Sequence, residues 1–440
     1  MNRILIISID SIGTMMSGAG LRYLSLAQEL SKSIDVTLAV PNDNPPKIDG
    51  ISVFSFNPDH LKDLNDILND FENVLVSGIF ALRLKGIEKT KAKIIVDLYD
   101  PIILENLFYE NKHSIKKKIF NHFRSIQLTN HLAKIGDFFI CGSERQRDFW
   151  LGVLAANGRI NPVNFELSSD FRNLIDVVGF GLTETKFESD HFLRKLYPQI
   201  EVDAKIVLWG GGVWDWLNPI PLIKIWKNIL AEEPKAKLVF LGIEHPNPSV
   251  PKHKIVDELI SEAKLIGEFE KSIFFINWLS LDDRKKLLSE SKVGVTLHKN
   301  HIETHFSIRT RVIDYIWARI PILISEGDIT SEWVKKYNLG EVVPFDDENQ
   351  LEKAMIKLLS FDKNDFYHNF DEIRTLLFWD QQIKPLKNFC KDGKKTLDKQ
   401  YNQSFFYGNI SRNNINYLLT AIKLGQTGDL INKIRKRFKI

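Results

Sequence analysis

The stretch VGVTLHKNHIETHFSIRTRVIDYIWARIPILISEGD, Val293–Asp328, spells out one strand, one loaded loop, one helix and the next strand. Val293–Leu297 is a short apolar run of the kind that forms a buried strand. It stops at His298, and a polar loop follows with His301, Glu303, His305, Ser307, Arg309, Thr310 and Arg311. Val312, Ile313, Tyr315 and Ile316 then give an apolar helix that carries a single acid, Asp314, and Pro321 opens the next apolar run, Ile322–Ile324. A strand followed by a helix and another strand is the repeating unit of a parallel sheet.

The same unit recurs in both directions along the chain. Toward the N-terminus, apolar runs stand at Ile4–Ile9, Val36–Val40, Val53–Phe56, Val74–Ser77, Ile94–Asp97, Phe138–Cys141 and Leu174–Val178. The pattern pauses over Gly179–Asp203, where Gly, Thr, Glu, Ser and Asp crowd together. It restarts at Ile206–Trp209, Leu238–Leu241 and Ile273–Ile276, and continues past the quoted stretch to Glu341–Val343. Helical patterns lie between, such as Leu21, Leu24, Ala27 and Leu30 on one stripe. The expected architecture is α/β: two doubly wound, Rossmann-like domains facing a cleft. The expected boundaries are 1–185, 186–380 and a helical tail, 381–440, that packs back on the first domain or on a membrane.

Composition narrows the function classes. The 440 residues carry 59 Lys+Arg against 56 Asp+Glu, a net charge of +3, so there is no overall case for a nucleic-acid partner. Two cysteines, Cys141 and Cys390, are too few for a disulfide framework and fit a reducing, cytoplasmic setting. No apolar stretch reaches the roughly 18 residues of a membrane span. The opening MNRILIISID meets Asp10 without a small-residue cleavage site, so it reads as a first strand and not a signal peptide.

Open α/β sheets bind ligands beyond the carboxyl ends of their strands. The first such loop holds Gly18-Ala19-Gly20 at a helix start, and the eighth strand runs into Gly210-Gly211-Gly212-Val213-Trp214-Asp215-Trp216. Glycines there let backbone N–H groups approach an anion, and Trp214 and Trp216 offer faces for a sugar or base, or simply fill the core. Neither loop has the G-x-G-x-x-G spacing of a dinucleotide site. Arg309 and Arg311, with Ser307, Thr310 and a helix N-terminus, form a candidate diphosphate site. Asp314 could accept from ribose hydroxyls; alternatively Arg311 and Asp314, three apart, pair with each other. His298, His301, Glu303 and His305 lack metal-motif order, and no D-x-D pair occurs anywhere, so no metal is expected. Asp97 and Asp100 close the fifth strand, where one could orient an acceptor hydroxyl; Asp100-Pro101 also reads as a helix cap.

These residues resemble the GT-B glycosyltransferases of family-4 ("group 1") type, over roughly 1–360. The likeness runs through the Gly18/Gly20 turn, the Ser143-Glu144 helix start, the Val178-Gly179-Phe180-Gly181 lead-out and above all Ser307–Pro321. Asp314 stands where that family has the second glutamate of its paired motif, and Arg311 matches a basic residue common there. Eight positions before Asp314 stands Phe306 instead of the first glutamate, with Glu303 and His305 as the candidate replacements. The family's basic pair after the second domain's first strand is absent, and Arg309 is the candidate to supply that charge. The resemblance implies a retaining, metal-independent transferase without cofactor. Its substrates would be a nucleotide diphosphate sugar, a UDP-sugar foremost, and a glycan or lipid-linked acceptor of bacterial surface polysaccharide or glycolipid synthesis. The alternatives are a sugar-nucleotide epimerase on the same fold, or a degenerate scaffold that binds without catalysis. The catalytic candidates are Asp100, Glu303 and His298. The donor-binding candidates are Gly18, Gly20, Gly211, Gly212, Trp214, Ser307, Arg309, Thr310, Arg311 and Asp314.

Two segments are basic and amphipathic. No acid falls between Glu110 and Asp137, a span with Lys112, Lys116, Lys117, Lys118 and Arg124 around Ile115, Ile119 and Ile126. The C-terminus repeats this with Lys433, Arg435, Lys436 and Arg437. Such helices suit either an anionic membrane face or plain solvent.

Overall fold

The computed structural model describes residues 2–99, 101–109, 113–188, 190–245 and 252–399. They form two compact units, one of 2–12, 22–179 and 383–399, the other of 13–21 and 180–382. The expected Asp100, Lys112, Lys433, Arg435, Lys436 and Arg437 lie outside the described residues.

The first unit is built on seven parallel strands: β1 (Arg3–Ile7), β2 (Asp35–Val40), β3 (Ser52–Ser55), β4 (Asn73–Val76), β5 (Lys93–Asp97), β6 (Phe138–Cys141) and β7 (Ile175–Val177). Their spatial order is β3-β2-β1-β4-β5-β6-β7, with Ile4 paired to Val36 on one side and to Asn73 on the other. Central strands in such a sheet are covered on both faces and so consist of apolar runs; Ile4–Ile7 and Val74–Val76 are fully buried. Trp150, on the helix Glu144–Ala156 that Ser143 caps, donates its Nε1–H to the Leu98 carbonyl at 2.9 Å and fastens that helix over β5. The carboxylate ending β5, Asp97, is held by two hydrogen bonds from Arg22, 2.7 and 3.1 Å, with both side chains buried. Arg22 also donates to the carbonyls of Val178 and Gly179. Asp97 is thereby committed to the scaffold.

The later stretch of this unit, Ile383–Lys399, is fixed by buried polar contacts. Arg159 pairs with Asp398 at 2.7 Å, and Lys93 donates to the carbonyls of Cys390 and Gly393. Neither charge of the Arg159–Asp398 pair keeps more than 1% exposure, and Asn161 and Asn164 donate to the same Asp398 oxygen. A buried pair persists only when its remaining lone pairs are satisfied in this way.

The second unit repeats the plan with six parallel strands: β8 (Lys205–Trp209), β9 (Ala236–Leu241), β10 (Ile273–Ile276), β11 (Ser291–Thr296), β12 (Ile322–Ser325) and β13 (Gly340–Val343). The order is β10-β9-β8-β11-β12-β13. Each of the apolar runs read from sequence is one of these thirteen strands, and the α/β, two-domain expectation holds. The strand order reverses direction between β8 and β11, which makes the loops after those two strands the place where a ligand crevice opens. The quoted stretch Val293–Asp328 supplies β11, its loop, the helices Ile302–Phe306 and Thr310–Trp317, and β12.

Candidate functional site

The loop after β8 and the loop after β11 are stitched together. Leu217 pairs with His298 in an isolated antiparallel bridge, and Asn218 N–H donates to the Leu297 carbonyl at 2.9 Å. Lys299 Nζ donates to the Asp215 carbonyl at 2.8 Å. Beneath them Tyr315 lies against Gly294, where an added Cβ would come within 2.5 Å of the ring. Its hydroxyl reaches the carbonyls of Leu208 and Val295 and accepts from Gly210 N–H at 2.7 Å. One phenol therefore ties the ends of both strands to the helix Thr310–Trp317.

Arg311, in the first turn of that helix, turns toward the triple-glycine loop. Its Nη2 donates to the Gly212 carbonyl at 2.7 Å, and the guanidinium lies 4.8 Å from the centre of the Trp209 ring. Its Nη1 is buried and has no hydrogen-bond partner. Burial lowers its pKa to about 10, with Arg309 acting in the same direction. A buried cation with an unused N–H is costly and is relieved by an anion. Among the described residues no ion pair joins Arg311 to Asp314, so the pairing allowed by their spacing is not made. Asp314 instead has Arg284 at 3.6 Å, and burial raises its pKa despite the two arginines nearby.

Arg309 is spent differently. Its Nη1 and Nη2 donate to Oε1 and Oε2 of Glu303 at 3.1 and 2.9 Å, a fork-to-fork pair with both side chains buried. Ser307 Oγ donates to the same Oε1 at 2.6 Å. Burial alone would raise the Glu303 pKa, but the Arg309 charge and these hydrogen bonds outweigh it and lower it. Thr310 opens the helix, and Ser307 sits at the turn before it.

His298 is enclosed. Its Nε2 faces Thr296 Oγ1 at 3.0 Å, its backbone N–H donates to Ser325 Oγ at 2.7 Å, and its Nδ1 has no hydrogen-bond partner. Burial, then Arg309, Arg311 and His301, push its pKa well below the ordinary value, so it is neutral at pH 7. Only 1% exposed, it has no face open to a substrate.

Gly212 is where Trp214 folds back: a Cβ there would meet Cζ2 of that indole at 2.3 Å. Trp214 stacks on Trp216 with centroids 5.5 Å apart and has His253 at its edge. Gly211 faces Arg311 with ordinary clearance, 3.7 Å. Gly18 and Gly20 belong to the helix that follows β1, where Gly20 N–H donates to Ser17 Oγ at 3.4 Å. The structure thus groups Gly211, Gly212, Trp214, His298, Glu303, Ser307, Arg309, Thr310 and Arg311 at the β8/β11 strand ends. Asp314 lies one turn further along the same helix. Sequence reading passed over Arg284, Tyr315 and Asp328. A further cavity of about 660 Å³ is lined by Glu184, Lys186, Arg319 and Arg374. Its two arginines are already engaged, Arg319 by Asp371 and Arg374 by the Trp317 carbonyl.

The fold is that of GT-B glycosyltransferases. Anabaena HepE in complex with UDP-glucose matches with a TM-score of 0.60 at 14% identity, over 88% of this chain and 99% of that one. WaaG, a glycosyltransferase involved in lipopolysaccharide biosynthesis, matches at 0.57 and 10% identity over 89% and 100%. The UDP-forming α,α-trehalose-phosphate synthase of Burkholderia xenovorans, in complex with glucose-6-phosphate, matches at 0.60 and 11% over 89% and 99%. No family model matches the chain, and no curated protein sequence does.

Proposed function

We propose that this chain is a retaining glycosyltransferase of the family-4 type that takes its sugar from a nucleotide diphosphate, with UDP as the carrier. The observation that carries the reading is Arg311: a buried guanidinium with a spare N–H, at the reversal point of the sheet and beside a run of three glycines. That arrangement suits the leaving diphosphate, whose growing negative charge a fixed cation and helix N–H groups stabilise. The UDP-glucose and glucose-6-phosphate named with the matched structures support the same class of substrates. Asp314 is assigned to the ribose hydroxyls. Glu303 keeps its charge by pairing with Arg309, which makes it a holder of the loop as well as the candidate to meet the sugar.

The acceptor is assigned to glycan or lipid-linked chemistry, in a cytoplasmic enzyme resting on the inner face of a membrane. Support comes from the helix Ile115–Ile135, which buries Phe120, Leu128 and Leu132 but leaves Ile115 69% and Ile119 48% exposed, beside Lys116, Lys117 and Lys118. No helix among the described residues is long and apolar enough to cross a membrane. A thermal-shift panel of UDP, GDP, ADP and dTDP tests the donor assignment, since a ligand that binds the native state raises its melting temperature. UDP alone should do so.

A further inference from the structure

Three buried polar atoms converge at the ends of β11 and β12, and none of them is accounted for by the roles above. Asp328, fully buried, follows β12 and caps the helix Ile329–Lys336. Its Oδ1 accepts from Ser331 N–H at 2.7 Å, and Thr330 Oγ1 lies 2.9 Å from both carboxylate oxygens. Its Oδ2 also faces His298 Nδ1 and Arg309 Nε, each at 3.8 Å. Those two nitrogens are the ones left without a hydrogen-bond partner on their side chains.

At 3.8 Å neither contact is a hydrogen bond, so the attraction is that of charge and dipole in a dry site. The Arg309 Nε always carries a hydrogen. A bare Nδ1 lone pair on His298 would set two acceptors against each other, whereas an Nδ1–H turns the same contact attractive and leaves Nε2 to accept from Thr296.

We propose that Asp328 is a positioning residue: it selects the Nδ1–H form of His298 and aims Arg309, and so fixes the loop that presents Glu303 and Arg311. The role of that loop rests on the glycosyltransferase reading; the contact with His298 does not. Glu303 grips the outer edge of the guanidinium and Asp328 faces its inner edge, so Arg309 is held from both sides.

The test uses the full chain with ¹⁵N-labelled histidine, His298 being assigned by His298→Gln. The expected spectrum, recorded without nucleotide between about pH 7 and 8, where Asp328 is ionised, shows His298 neutral with the hydrogen on Nδ1. Asp328→Asn, which keeps a helix-capping oxygen, should move the hydrogen to Nε2 or mix the two forms, and should weaken UDP binding several-fold. An Nε2–H form in the wild-type chain overturns the proposal, as does an unchanged tautomer or an unchanged UDP affinity in a folded Asp328→Asn chain. Should that variant fail to fold, the wild-type spectrum alone still decides. A wild-type chain that ignores UDP would contradict the proposed function, while the tautomer would still test the Asp328–His298 contact.

Discussion

Glu303 and Arg309 meet fork to fork, 2.9 and 3.1 Å apart, across the break between two helices. Both are buried, so removing one strands the other. Breaking such a pair costs about 3–5 kcal/mol, whereas removing both partners together costs much less. Glu303→Ala should therefore destabilise the chain strongly in urea, and Glu303→Ala with Arg309→Ala should recover part of that loss. Equal, additive losses would remove the pair from the account.

The glycines after β8 are not equivalent. Gly212→Ala drives a Cβ into Trp214, and displacing the indole costs about 1–3 kcal/mol and changes tryptophan fluorescence. Gly211→Ala meets Arg311 at an ordinary distance and should leave both stability and fluorescence near wild type.

The strands were legible because a strand covered on both faces is an apolar run, and all thirteen runs announced themselves. The loaded loop was legible too, since basic, hydroxyl and acidic groups crowd one strand end. Pairing inside it was not. Glu303 and Arg309 join across a change of chain direction that no helical spacing describes, and Arg311 passes over the nearby Asp314 for a carbonyl 99 residues away. Asp328 escaped notice because Asp-Ile-Thr-Ser is also how an ordinary helix begins. Arg284 lies in a polar helix whose sequence points to solvent, yet it is the cation beside Asp314.

Asp328 gives a pH dependence with a definite sign. Burial raises its pKa to about 6 from the ordinary 3.8, against the opposing pull of Arg309 and the hydrogen bonds from Ser331 and Thr330. The groups around it are Arg309 and the neutral His298, with Glu303, His301 and Arg311 beyond. Between those two values the folded chain binds more protons than the unfolded one, so this contribution to stability falls as pH rises from 3.8 to about 6 and then levels. Asp328→Asn lacks that slope. The melting temperature of the variant should gain on wild type across this window, and a constant gap would contradict the assignment.

The membrane assignment concerns the helix Ile115–Ile135. Wild-type chain should co-sediment with anionic vesicles in a salt-sensitive manner, each near-surface cation adding about 1 kcal/mol. Ile115→Ser with Ile119→Ser, or Lys116, Lys117 and Lys118 changed together to Glu, should abolish it. Binding that survives both sets would place the contact elsewhere, and a wild-type chain that does not co-sediment would dispose of it.

Arg311 bears the central claim, and calorimetry of UDP with wild type, Arg311→Ala and Asp314→Ala tests it. A lost charge-assisted contact to a diphosphate is worth about 1.5–3 kcal/mol, a fall of roughly ten- to a hundred-fold in affinity for Arg311→Ala. Asp314→Ala should weaken binding less. Wild-type affinity retained in both variants would contradict the account.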